Sequence, residues 1–285
     1  MGFGREKNKR MFTKEEKEKA QYFKFSLHPL EELEYFLKPR FLSVIDQDTS
    51  LNNTKILQTM IPKQILLFWH DAIPSGEVQK SIDKIRQYND GYQVILFNEQ
   101  SAGEFIQRHY GQDLYRLYER RCVHPSMKSD LFRMCYLALN GGVYVDIDIN
   151  CHHSLKEIFN TYSFDCFLFF SRGKPCCIDN DFIVCQPNNP IILASIEKIR
   201  ENLTIERSFS SVWECTGPGA VSMAVLELLM QKILSDNEEK SPLGGLLLGC
   251  HDLAKRAYGH VEMEYKKTAA GNWRSFHFPR QLCQL

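Results

Sequence analysis

Apolar and polar residues alternate along the middle of the chain with two periods, one typical of strands and one typical of helices. A continuous apolar run at 65–69 predicts a strand buried on both faces, and helical spacing follows over 75–88. A second strand is predicted at 92–97 and a second helix at 99–110. This order of elements builds parallel sheets with right-handed crossovers. The pattern therefore predicts an α/β domain that begins near Ile61.

Residues 126–139 are predicted to form a helix with one apolar face and one polar face. The polar face carries Ser126, Asp130 and Arg133, which follow one another at i, i+4 and i+7. We expect the apolar face to be buried, and it consists of Leu131, Met134, Cys135, Ala138 and Leu139. Asn140-Gly141-Gly142 is predicted to end the helix, because Asn and Gly tolerate the left-handed conformation common at helix ends.

Residues 143–150 alternate between β-forming and polar side chains, which predicts a strand. The alternation places the carboxylates of Asp146 and Asp148 on one face, near a strand end where open α/β sheets bind ligands. Two such carboxylates can hold Mg²⁺ or Mn²⁺ and leave positions open for phosphate oxygens. The alternative is a pair of exposed carboxylates at a sheet edge. Asp-X-Asp also occurs at 46–48 and 179–181, and we expect those copies to be solvated turns.

The second half of the chain predicts further strands at 164–170 and 182–185 and helices at 187–199 and 221–234. Gly217 lies in a Thr-Gly-Pro-Gly turn before the last of these helices. The turn is either a helix entry or a place where the backbone passes close to a ligand, since glycine permits close approach. Both interpretations stay open at this stage.

Composition limits the classes of function. The 285 residues include 35 basic and 35 acidic side chains, so there is no overall attraction to nucleic acid and we expect no nucleic-acid partner. No stretch approaches the roughly 18 apolar residues of a membrane span, and the N-terminus lacks the apolar core of a secretory signal. We therefore expect a cytoplasmic protein without a transmembrane segment, compatible with peripheral contact at the inner membrane face. Residues 1–60 are predicted to be an N-terminal helical extension and linker, and residues 61–285 the main domain.

Residues 61–150 resemble glycosyltransferase family 32, the sugar transferases named for a DXD motif, which include capsule, lipopolysaccharide and α-mannosyl transferases. The most specific stretch is Ser-Asp-Leu-Phe-Arg at 129–133, followed by Gly-Gly-Val-Tyr-Val-Asp-Ile-Asp at 141–148. The resemblance returns at 216–220 and weakly at Gly271-Asn272-Trp273, where the family often has Gly-Ser-Trp preceded by histidines.

The resemblance implies a GT-A fold, which is a Rossmann-like, mostly parallel sheet flanked by helices, with residues 61–285 as the catalytic domain. It also implies Mn²⁺ or Mg²⁺ and a nucleotide-sugar donor such as a UDP- or GDP-sugar. The activity would be hexosyl transfer to a saccharide or glycoconjugate acceptor, as in polysaccharide biosynthesis, with retention of configuration. The sequence suggests no residue that could act as a nucleophile, so we assign none.

The same resemblance assigns roles to individual residues. A metal held by Asp148 and assisted by Asp146 would neutralise the charge that grows as the diphosphate leaves. Arg133 would add a cation at the sugar or phosphate, and Asp130 would accept hydrogen bonds from sugar or ribose hydroxyls. Alternatively, Asp130 and Arg133 form only a surface ion pair.

Four further residues are assigned to the donor or the metal. Trp69 would stack on the nucleotide base, although a tryptophan at the end of a buried strand can equally be a core residue. Tyr144 and Gly217 would contribute to donor binding, and the amide carbonyl of Asn272 could ligate a hard cation.

Two other functions fit the same carboxylates. One is a metal-dependent phosphohydrolase, although the sequence lacks the second dense carboxylate or histidine cluster that a two-metal site needs. The other is a module that binds a nucleotide sugar without turnover.

Overall fold

The structure is a computed structural model. It describes residues 61–151, 154–156, 166–170, 177–205, 209, 211–235, 246–249, 258–260 and 262–276. The predicted helical extension and linker at 1–60 lie outside the described residues, as does the Asp-X-Asp copy at 46–48. The division of the chain into extension and catalytic domain therefore stays a prediction.

Eight strands and six α-helices are described. The strands are β1 Gln64–Phe68, β2 Gln93–Phe97, β3 Gly142–Val145, β4 Ile149–Cys151, β5 Cys166–Phe170, β6 Ile178–Cys185, β7 Leu246–Gly249 and β8 Tyr258–His260. The helices are α1 Gly76–Tyr88, α2 Glu99–Arg120, α3 Pro125–Asn140, α4 Pro190–Thr204, α5 Val212–Cys215 and α6 Pro218–Ser235. Two 3₁₀ helices follow at Glu264–Lys267 and Trp273–Ser275.

The main sheet has the strand order β2-β1-β3-β6-β5-β7. β1 is parallel to β2 and β3, and β5 is parallel to β7, whereas β6 runs antiparallel to both of its neighbours. The prediction of an α/β fold with a mostly parallel sheet flanked by helices is confirmed. The sequence pattern did not predict the reversal of β6, which brings the start of this strand beside the end of β3.

Both faces of the sheet are covered by apolar residues. Leu66 and Phe68 of β1 join a cluster formed with helices α2, α3, α4 and α6. Ile65 and Leu67 point the other way, into a cluster that includes α1. The uninterrupted apolar run at 65–69 thus packs into both clusters, as predicted.

The predicted continuous strand at 143–150 is wrong, because it is interrupted at residues 146–148. β3 ends at Val145, and the amide of Ile149 donates to the carbonyl of Asp146 across a turn, with N and O 3.0 Å apart. β4 then pairs with β8 in a separate two-stranded sheet. Ile147 and Ile149 are buried in the α1-side cluster, so apolar packing continues beyond the end of β3.

Two helices depart from their predicted extents. The helix predicted at 99–110 continues to Arg120, but Gly111 has a φ of 84° that interrupts it one residue after the predicted end. α3 ends at Asn140, where Gly141 takes a φ of 64°, so the predicted stop is confirmed. Leu139, predicted to be buried, is 44% exposed.

In the part of the chain that the structure describes, no helix combines the length and apolar character that crossing a membrane requires.

Candidate active site

A cavity of about 680 Å³ lies where β1 and β3 end and where α3 begins. Residues 144, 146 and 148 line it from one side, and residues 179–181 at the start of β6 line it from another. The chain's three tryptophans, Trp69, Trp213 and Trp273, all contribute to its wall. The cavity therefore occupies the strand ends where the sequence predicted a ligand site.

The charged groups around this cavity are mostly acidic. Five carboxylates line it, from Asp130, Asp146, Asp148, Asp179 and Asp181. Three cationic side chains line it as well, from Arg133, Lys266 and Arg274. An excess of carboxylates around a cavity favours a bound cation, particularly where an anionic ligand must enter.

Asp146 lies directly after β3, and its backbone N–H donates to the carbonyl of Asp181 at 2.8 Å. Its Oδ1 accepts a hydrogen bond from the Tyr144 hydroxyl at 2.6 Å and pairs with the Arg133 guanidinium at 3.2 Å. Loss of surrounding water raises the pKa of Asp146 to about 6, and the charges of Asp148 and Asp181 add to this while Arg133 opposes it. Neighbouring carboxylates that repel one another in this way are a suitable place for a divalent cation.

Asp148 is more deeply buried than a carboxylate at a sheet edge would be. Its side chain is 3% exposed, and Oδ2 pairs with the ammonium of Lys266, on the 3₁₀ helix at 264–267. The alternative that Asp146 and Asp148 are simply two exposed carboxylates is therefore wrong for Asp148.

Asp130 lies on the helix face that was predicted to be polar, and this face points inward. Its Oδ1 accepts from the Asn180 side-chain amide at 2.9 Å, and its Oδ2 accepts from the Thr216 hydroxyl at 2.9 Å. Burial raises the pKa of Asp130, against the opposing effects of Arg133, Thr216 and Asn180. The pair that Asp130 forms with Arg133 is buried, at 3.2 Å, so a surface ion pair is excluded.

Arg133 connects the two carboxylates. Its Nη2 lies 3.2 Å from an oxygen of both Asp130 and Asp146. Nη2 also donates to the Ser129 hydroxyl at 2.9 Å, while Nη1 donates to the Asn180 carbonyl and Nε to the Ser129 carbonyl. The guanidinium carbon also lies 4.1 Å from the ring centre of Tyr144. Each nitrogen of the group thus has a protein acceptor.

Trp69 is a core residue that also lines the cavity, and its stacking on a nucleotide base stays a prediction. It is buried in the α1-side cluster, with its ring edge-to-face against Tyr265 at 4.8 Å between centroids. It also lines the cavity, and among the described residues its buried indole N–H has no hydrogen-bond partner. A buried polar atom without a partner is costly, so a ligand that offers an acceptor would stabilise this wall.

Gly217 lines the cavity immediately before α6 begins, so it is at once a helix entry and a wall of the site. A Cβ there would lie 3.1 Å from the Trp213 Cα and 3.5 Å from the Asp130 Oδ2. Glycine permits this tight approach.

Asn272 does not line the cavity, although its neighbours Gly271 and Trp273 do. Among the described residues, no three His, Cys, Asp or Glu side chains are grouped as a metal cluster. The donor set nevertheless fits Mg²⁺ or Mn²⁺, because such ions are commonly held by one or two carboxylates with water and substrate phosphates completing the shell. Asp146 and Asp148 would supply those carboxylates.

Several residues of the site were missed by sequence reasoning. The Asp-X-Asp at 179–181 was expected to be a solvated turn, and this is wrong, because it lies in β6 and lines the cavity. Thr216 and His124 were also not assigned. His124 caps α3 by accepting from the Ser126 amide at 3.2 Å, and the Thr-Gly-Pro-Gly turn was the signal that could have indicated Thr216.

The strand ends of an α/β sheet, with carboxylates around a cavity of this size, are the usual position of a ligand-binding site in α/β enzymes. Residues 75–165 match the family model described as the glycosyltransferase sugar-binding region containing the DXD motif. This match and the relatives described below confirm the resemblance to DXD-containing glycosyltransferases found in the sequence.

The chain is similar to proteins from two yeasts. It is 24% identical to a mannosyl phosphorylinositol ceramide synthase of Saccharomyces cerevisiae, over 58% of this chain and 42% of that protein. It is 23% identical to inositol phosphoceramide mannosyltransferase 1 of Schizosaccharomyces pombe, over 73% and 62% of the two chains. This chain thus spans about half the length of the curated relatives it matches. Among solved structures, it is similar to the PaToxG glycosyltransferase, with a TM-score of 0.49, 17% identity, and coverage of 79% and 90% of the two chains.

Proposed function

We propose that this protein transfers a hexosyl group from a nucleotide-sugar donor to a saccharide or glycoconjugate acceptor, with Mn²⁺ or Mg²⁺ and with retention of configuration. The observation that carries the proposal is the position of Asp146 and Asp148 at the end of β3, beside the cavity that Trp69 lines. The two yeast relatives are named for mannosyl transfer and for inositol phosphoceramide. A mannose nucleotide and an acceptor that carries phosphate are therefore the first substrates to test.

The residues have distinct roles in this proposal. Asp148 and Asp146 would hold the divalent ion, which supplies positive charge at the leaving diphosphate. Arg133 fixes the Asp146 carboxylate through their ion pair, and Tyr144 donates to the same oxygen. Asp130 would accept hydrogen bonds from the donor at the cavity wall, held in place by Asn180 and Thr216.

The first experiment incubates the protein with UDP- and GDP-sugars, Mn²⁺ and candidate acceptors, and measures release of the nucleoside diphosphate. We expect slow hydrolysis of one donor without acceptor, faster turnover with acceptor, and loss of both with EDTA. Binding of the donor without turnover would favour a non-catalytic module. Comparable hydrolysis of simple phosphate esters would favour a phosphohydrolase and contradict the proposal.

Trp69→Ala is expected to raise the donor KM about tenfold or more, because base stacking on an aromatic ring contributes roughly 1–3 kcal/mol. The measurement is donor KM alongside the melting temperature, since truncating a buried tryptophan also lowers stability. Trp69→Phe is the variant that keeps a ring, and we expect an intermediate KM for it.

The three tryptophans of the cavity provide an independent measurement. A nucleoside diphosphate should quench the fluorescence of the parent protein, and the quench should be smaller in Trp69→Phe than in Trp213→Phe. If neither the KM nor the quench depends on Trp69, this residue belongs to the core alone.

A further inference from the structure

The positively charged side chain of Lys266 pairs with Asp148, one of the two carboxylates proposed to hold the metal. Its ammonium pairs with Oδ2 of Asp148, and it lines the same cavity. The Asp148 side chain is 3% exposed, whereas that of Lys266 is 34% exposed. The lysine therefore reaches from the solvent side of the cavity onto a buried carboxylate.

The backbone that carries Lys266 is fixed by contacts from outside its own segment. Glu77, in the first turn of α1, accepts hydrogen bonds from the backbone N–H groups of Glu264 and Tyr265 at 2.9 and 3.0 Å. The Tyr265 ring packs edge-on against Trp69. Because the 3₁₀ helix is held in this way, only the flexible four-carbon stem of Lys266 needs to move for the ammonium to change partner.

A divalent ion on Asp148 would lie close to this ammonium, and the two positive charges would repel one another. The divalent ion and the ammonium also bind the same buried carboxylate, so they compete for it. The diphosphate of a donor offers the ammonium another set of anionic oxygens, for which a lysine is a suitable point charge. Since Lys266 is partly exposed, leaving Asp148 would not require it to unpack from the core.

We propose that Lys266 competes with the divalent cation for Asp148 and, once displaced, binds the diphosphate of the donor. The identity of these two ligands rests on the proposed function. The competition makes the metal alone bind weakly and makes nucleotide and metal bind cooperatively, because the nucleotide provides the displaced ammonium with a partner.

The test titrates the protein with Mn²⁺ alone and follows the free ion by electron paramagnetic resonance. Lys266→Met should bind Mn²⁺ about tenfold more tightly than the parent, which corresponds to about 1.4 kcal/mol. Lys266→Arg keeps the charge and should bind Mn²⁺ like the parent. Lys267→Met is the matched control, because Lys267 lies on the same 3₁₀ helix but is 70% exposed and pairs with Glu264 at 2.7 Å.

Repeating the titration with UDP or GDP measures the second half of the proposal. The nucleotide should tighten Mn²⁺ binding by the parent and by Lys267→Met more than it does for Lys266→Met. Lys266→Gln is a second neutral variant and should behave like Lys266→Met, which guards against a folding defect in either protein.

An unchanged or weaker Mn²⁺ affinity in both neutral variants would overturn the proposal, and so would a lack of Mn²⁺ binding by all of the proteins. No turnover is measured, so a protein that fails to transfer sugar can still support this inference. If Lys266 had a purely structural role, replacing it would not strengthen metal binding.

Discussion

Asp148→Asn is expected to lower metal-dependent transfer about 100-fold or more, because the substitution removes a ligand charge needed where the diphosphate leaves. Asp148 pairs with a partly exposed lysine, so its replacement does not strand a buried cation, and we expect the fold to persist. Asp146→Asn should have a smaller effect. The Asp146 carboxylate also pairs with Arg133 and accepts a hydrogen bond from Tyr144, and the carbonyl oxygen of an amide partly keeps these contacts. Initial rates at saturating Mn²⁺ measure the loss of transfer in each variant, and melting temperatures measure whether the fold persists.

The control for this prediction is Asp113→Asn, which removes a carboxylate that is 98% exposed and pairs with Arg116 on the same helix. Exposed pairs of this kind contribute little, so neither rate nor stability should change. Replacing Asp46 and Asp48 together by Asn, at another Asp-X-Asp copy, should likewise have no effect. Wild-type metal-dependent turnover by Asp148→Asn would show that this motif does not hold the metal.

The first elements could be predicted closely from sequence, because their patterns are long and local. The predicted strand at 65–69 and helix at 75–88 differ by about one residue from β1 and α1. An uninterrupted apolar run and a helical period leave few alternatives when each ends in polar residues. The end of β3 was different, since the alternation continues through residues 146–150 although the chain turns away.

The site was predictable in its residue types but not in its surroundings. A carboxylate and a guanidinium on one helix face usually lie in solvent, and here they are buried because Asn180 and Thr216 complete their hydrogen bonds from distant parts of the chain. Asn180 comes near them because β6 is antiparallel to β3, whereas Thr216 comes from the turn before α6. Local patterns carry no information about such a reversal, which is also why Asp179-Asn180-Asp181 was expected to be a turn.

Arg133→Met is expected to lower the free energy of unfolding by about 3–5 kcal/mol, the usual cost of removing one partner from a buried charged pair. The substitution leaves the Asp130 carboxylate buried without its cation and removes the donors to Ser129 and the Asn180 carbonyl. Arg133→Lys should lie between the parent and Arg133→Met, because an ammonium keeps the charge but cannot reproduce the fork of donors. Urea denaturation of the metal-free proteins provides the measurement.

Arg116→Met is the matched control, since Arg116 also pairs with an aspartate three residues away but is 58% exposed, and its loss should cost little. The same series separates two roles for Arg133. If the guanidinium positions Asp130 and Asp146, Arg133→Lys should lose stability and Mn²⁺ affinity together. If it binds the donor instead, Arg133→Lys should keep the parent stability and Mn²⁺ affinity while its donor KM rises. The three acceptors already engaged by the guanidinium nitrogens favour the positioning role, because a phosphate could be bound only by giving up some of these contacts.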